Sequence, residues 1–370
     1  MTLFMDKFSC RPGALLIAVA TLLVTACGGG GSGPTPVANT ATATGLRLSV
    51  FANAANVTSK PDSIVQFGQS VYIAYQKAGD VKDGSVPGLT NDVVQYDVNG
   101  NVLKTFSVPG HVDGLMGRKD TNAMWAMSNE DGHPLLTIID LTTGSQKTYS
   151  ATVAPTAHGG GFDDMQLVNG VVYASAAAPS TAGTVAPTLV RLTLNANGTT
   201  FDVAPVLAGD AKAMDITPSV GGAANPTYGQ MVSLALSDPD SLETDPSGNL
   251  VLDSQSDGKL VFVTNPGTAA QAASVLSLTL YNDKDGPTLP VDDTRFVPPA
   301  GLAPTFRLFT DASNTTYRVD GAFTPGDAYC AGQGQIMKLD RATGHLTPVV
   351  AGIGDASALH DPHGMVFVTP

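Results

Sequence analysis

The chain of 370 residues carries 32 acidic against 19 basic side chains, a net charge of −13. Nothing in it neutralises phosphates in a row, which excludes a nucleic-acid partner. Only 14% of residues are charged, while 40 Gly and 25 Pro predict many turns and an all-β chain of short strands.

The N-terminus comes first. Lys7 and Arg11 precede the apolar run "ALLIAVATLLVTA", Ala14 to Ala26, which is short for a membrane span, and the small residues of "VTAC" stand just before Cys27. This arrangement resembles a bacterial lipoprotein signal with its lipobox. The resemblance implies a signal peptide over 1–26, palmitate or a similar lipid on Cys27, and anchoring to a membrane of the cell envelope. Gly28 after the cysteine points, by the same resemblance, to the outer membrane, facing periplasm or exterior. An ordinary secretory signal cut near Ala26 is the alternative. Residues 27–44, "CGGGGSGPTPVANTATAT", lack apolar periodicity and read as a tether, which leaves 45–370 as one domain. With Cys10 in the signal and Cys27 acylated, Cys330 is alone, so no intrachain disulfide is expected and Cys330 reads as a small packed residue.

Within 45–370 one hairpin type recurs: "VVQYDVNGN", "LTIIDLTTGS", "LVRLTLNANGT", "LVFVTNPGT" and "IMKLDRATGH", each followed by another short strand. Upstream of each lies a second strand pair, such as "DSIVQFGQSVYIAY" or "DDTRFVPPAGLAPTFRLFTD". Joined, the two halves make a four-stranded antiparallel meander, the unit of a β-propeller. The unit "DPDSLETDPSGNLVLDSQSDGKLVFVTNPG" resembles NHL repeats and the related gluconolactonase-like six-bladed propellers. The expected fold is therefore a six-bladed propeller; a two-sheet sandwich, or five blades with an irregular closing sheet, are the alternatives. Two insertions stand out, 212–237, read as an extra hairpin, and 314–334. The last inner strand, opening at His363, has no hairpin after it, and the N-terminal "GLRLSVFA" is expected to share its sheet and close the ring.

Aligned on their inner strands, the repeats read PDSIV, VDGLM, FDDMQ, PDSLE, VDDTR and PHGMV. The leading residues are Asp62, Asp113, Asp163, Asp240, Asp292 and His363. In a propeller the starts of the inner strands share one mouth of the central channel, so five carboxylates and one imidazole are expected to face a common axis. Such a ring either shifts its own pKa values or takes a cation, Ca²⁺ for an oxygen cage and Zn²⁺ where imidazole joins. The plain alternative is that each aspartate caps a turn. His111, His158 and His360 fall in connections to the same face and join the candidate ligands. No nucleophile elbow, phosphate loop, paired-Cys motif or H-E-x-x-H occurs, and "YNDKDG", 281–286, lacks the first ligand and closing Glu of a calcium loop.

Two functions fit. One is a lipid-anchored, monomeric envelope propeller that binds an envelope protein or a small molecule. The other, implied by the resemblance, is a lactonase-like hydrolase or lyase using a divalent metal at the mouth. Gluconolactonase-like enzymes contribute a glutamate from an early inner strand, whereas here Ser63 follows Asp62 and no glutamate precedes Glu130. That departure favours the binding reading.

Overall fold

Short runs of alternating or β-branched residues punctuated by Gly make strands rather than helices, and the described residues contain strands and turns but no helix. The computed structural model describes residues 40–41, 46–53, 59–77, 79–154, 156, 159–177, 186–220, 222–280, 288–302, 306–351 and 359–370. The signal, Cys27, most of the tether, His158 and the 281–286 segment lie outside these residues. What is described belongs to one unit, Pro36–Pro370.

The first meander runs Ser59–Phe67, Ser70–Lys77, Thr90–Asp97 and Val102–Pro109, each strand pairing antiparallel with the next. The second, Val112–Arg118 to Gln146–Ala151, and the third, Met165–Val168 to Thr200–Ala208, repeat the pattern. They join at their outer edges through a short parallel contact, Ser150 and Ala151 against Thr200 and Phe201. The fourth, Pro239–Thr244 to Ala272–Ser277, is widened by Lys212–Asp215 and Met231–Ser233, so the 212–237 insertion does supply extra strands. All five expected hairpins are present.

The last two sheets correct the sequence reading. "FRLFTD", Phe306–Asp311, was expected to pair with the inner strand at Asp292. Instead it pairs with Thr315–Asp320 and with the C-terminal strand Pro362–Val368. The partner of Asp293–Phe296 is Ala328–Gly332, from the stretch read as an insertion. The chain therefore leaves the fifth sheet after one strand, lays down two middle strands of the closing sheet, and returns. The N-terminal Arg47–Asn53 pairs with Thr315–Asp320, so the closing sheet does hold both chain ends.

The inner strands touch in a closed cycle: Ser59–Phe67, Val112–Arg118, Met165–Val168, Pro239–Thr244, Asp293–Phe296, Pro362–Val368, and back to Ser59–Phe67. The fold is a β-propeller. Its core is layered between neighbouring sheets rather than gathered at a centre; Met116, Trp125 and Leu136 of the second sheet, for example, pack on Phe162, Val190 and Phe201 of the third. Burial of such apolar area is the main favourable term in folding.

The residue after each leading position explains the small-or-acidic pattern there. Leu115 N donates to Ser63 Oγ (3.1 Å), Leu242 N to Asp164 Oδ2 (3.1 Å) and Met365 N to Asp293 Oδ2 (2.6 Å), so the first, third and fifth inner strands each hold the next. At Gly114 and Gly364 a Cβ would stand 2.2 Å from Asp163 O and 2.7 Å from Asp62 O. Only glycine allows the backbones to approach that closely.

Candidate functional site

Four inner strands bulge at or next to their leading residue: the registers slip between Pro61 and Ile64, Val112 and Gly114, Pro239 and Leu242, and opposite Pro362 to Met365. A bulge re-aims a side chain, and here Asp62, Asp113, Asp163, Asp240, Asp292 and His363 all line one cavity of about 450 Å³. Burial, followed by repulsion from neighbouring carboxylates, holds Asp113, Asp163 and Asp240 well above the usual carboxylate range. Burial likewise lifts Asp62 to about 6, with the His363 charge pulling the other way. His363 donates toward Asp292, Nδ1 to Oδ2 at 2.8 Å, and Gln255 Nε2 donates to the same oxygen at 2.6 Å. Against burial, which opposes it, the Asp292 carboxylate raises His363 to about 10, so this imidazole is a cation at neutral pH.

No three of the six ring groups bring their ligand atoms within 4.8 Å of one another. Among the described residues, one trio of ligand-type groups has its atoms within 4.8 Å of one another: His111, Asp113 and Glu130. His111 is buried, with Nε2 3.1 Å from Asp113 Oδ1 and Nδ1 3.5 Å from Asp80 Oδ2. Neither ring nitrogen attains hydrogen-bond geometry with any described residue.

Backbone and side chains around the trio are fully engaged. His111 N donates to Asn129 Oδ1 (3.0 Å), Val112 N to Asn91 Oδ1 (2.8 Å) and Glu130 N to Asp113 Oδ2 (3.2 Å). Asp80 accepts from Lys77 N (2.8 Å) and from Asn91 Nδ2. Asp80 thus lies beside the imidazole Nδ1, short of the hydrogen bond by which an outer carboxylate holds a metal-bound histidine. One imidazole nitrogen and two carboxylates, of which Asp113 and Glu130 line the polar cavity, form a donor set suited to a divalent transition metal.

His360 is not part of this site; its side chain is exposed and its backbone N donates to Asp311 Oδ1 at 3.1 Å. Below the mouth the channel narrows to about 30 Å³ and is blocked by Arg295. That guanidinium contacts Asp293 Oδ2 (3.2 Å), Glu243 Oε2 (3.4 Å) and Asp164 Oδ2 (3.6 Å). Beyond it a second, more apolar cavity of about 280 Å³ opens at the other end.

Sequence reasoning missed Asp80, Lys82 and Glu130, which belong to loops outside the repeat register. One signal was available: the chain's two glutamates, Glu130 and Glu243, both line the channel cavities, one at each end.

No protein-family model matches the chain, and no curated protein matches it. Among solved structures it resembles a virginiamycin B lyase from Staphylococcus aureus, at 11% identity over 82% of this chain and 89% of that one with a TM-score of 0.43. It also resembles a streptogramin B lyase (13% identity, 86% and 90% covered, TM-score 0.44) and a protein classed with the gluconolactonases (12%, 84% and 84%, 0.47).

Proposed function

We propose that the chain is a six-bladed, lipid-anchored propeller of the bacterial cell envelope that holds a divalent transition-metal ion at its channel mouth and binds a small oxygen-donor ligand there. His111, Asp113 and Glu130 would hold the ion, and the ion would supply a Lewis-acidic position facing the cavity. The observation that carries this reading is the buried His111, whose nitrogens lack hydrogen-bond partners among the described residues while two carboxylates converge on it. The six closed inner strands support the blade count, and Cys27 with its preceding run supports the anchor.

Metal analysis of the purified chain, with H111A and E130Q as variants, tests the site. Stoichiometric Zn²⁺ or Mn²⁺ that falls at least tenfold in both variants is expected. Absence of metal, together with a melting temperature unmoved by chelator, refutes it.

A hydrolase or lyase is the second reading. It is favoured by Asp163, whose pKa burial and the neighbouring Glu130 and Asp113 raise well above the usual carboxylate range, the direction that a general acid donating to a leaving group needs.

A further inference from the structure

Asp80 and Lys82 approach the trio from one short segment. Asp80 stands behind His111, while the Lys82 ammonium pairs with Glu130 Oε1. The segment is fixed where it does this: Asp131 N donates to Lys82 O (3.0 Å), and His133 Nδ1 lies 3.0 Å from Asp83 O. Lys82 lines the same cavity as the ring carboxylates. Among the described residues its one ion pair is with Glu130, and it leaves Asp113 and His111 to each other.

The lysine side chain is 53% exposed and the glutamate 14%. The ammonium thus reaches solvent while the carboxylate it pairs with is mostly buried. The Lys82 ammonium and a divalent ion would nevertheless both draw on the one Glu130 carboxylate, and two positive centres sharing one carboxylate repel.

Resting on the cation reading above, we propose that Lys82 is a built-in competitor for the metal position, an internal cation that must release Glu130 before a divalent ion binds and that thereby sets the affinity of the site. Its segment then has two roles. Asp80 puts a carboxylate beside the imidazole Nδ1, and Lys82 exchanges Glu130 for solvent when the ion arrives.

Calorimetric titration of the purified chain with Mn²⁺ and Zn²⁺ tests this, using K82M, K82R, E130Q and the K82M/E130Q pair. K82M is expected to bind at least tenfold more tightly than the natural chain, and K82R, which keeps the charge, within about threefold of it. In the E130Q background the K82M gain should vanish, the non-additivity of a direct coupling. A purely structural role for Lys82 predicts weaker binding in K82M. Equal or weaker binding there, with the natural chain binding normally, overturns this inference and leaves the metal reading standing. Failure of every form to bind either ion removes both.

Discussion

Among the described residues Arg307 is the largest fully buried side chain, and none of its guanidinium nitrogens has a hydrogen-bond partner there. The rings of Tyr329, Phe323 and Phe367 surround it at 4.4, 5.6 and 5.7 Å to their centroids. Burial lowers its pKa to about 10. A desolvated cation–π contact contributes about 2 kcal/mol, less than the several kcal/mol that burying an unpaired charge costs. R307M, of similar volume, should therefore leave stability unchanged or raise it by about 1–4 kcal/mol in urea melts. R307A, which leaves a cavity, should lower it by about 3 kcal/mol. A large loss in R307M would show that the three rings outweigh desolvation. Legibility at this scale followed register. Asp62 to His363 could be read as a ring because each occupies the same place in a repeat, but His111 gained its meaning only when Asp80 and Glu130 arrived from connections of no fixed length.

At the scale of elements, the C-terminal strand carries more than its length suggests. Pro362–Val368 pairs with Phe306–Asp311, its Met365 N is held by Asp293, and Thr369 N donates to Gln66 Oε1 at 2.8 Å. It thus ties the closing sheet to the fifth and first. A chain ending at residue 359 should lose its cooperative thermal transition and bind a hydrophobic dye, as Phe309, Leu308 and their layer become exposed. A cooperative melt at an unchanged temperature would refute this closure. The hairpins, the inner strands and the sharing of one sheet by both ends were all legible from alternation and Gly-marked turns. The exchange of middle strands between the last two sheets was not, because "DDTRF" and "FRLFTD" are neighbours in sequence and neighbours usually pair. The nine residues between Phe296 and Phe306, with three prolines, exceed a hairpin loop of two to five residues, and that length was the sign that the two strands belong to different sheets.

For the whole molecule, buried acid sets the response to pH. Burial lifts Asp62 to about 6 and Asp293 to about 7, and pushes Asp253 well up as well. In the unfolded chain these groups ionise at about 4. Between those values the native state binds more protons than the unfolded one. Their stabilisation is therefore complete below about pH 4 and is lost as pH rises through about 6 to 7. Asp97 and Asp140, held low by the Asn101 side chain and the Thr143 amide, act the other way, but only below about pH 4. The melting temperature in chelator should accordingly be higher at pH 5.5 than at pH 8, by about 5 °C. Saturating divalent ion should shrink the gap by stabilising the ionised mouth. A flat or rising profile in chelator would contradict the burial of these groups. One further consequence lies in the pairing of Arg47–Asn53 with Thr315–Asp320. If the chain is delivered N-terminus first, the edge of this strand that faces Thr315–Asp320 must wait open until most of the protein has followed. Folding is then a late event with long-range contacts, and that waiting edge is the part of the molecule most in need of a guardian until it is met.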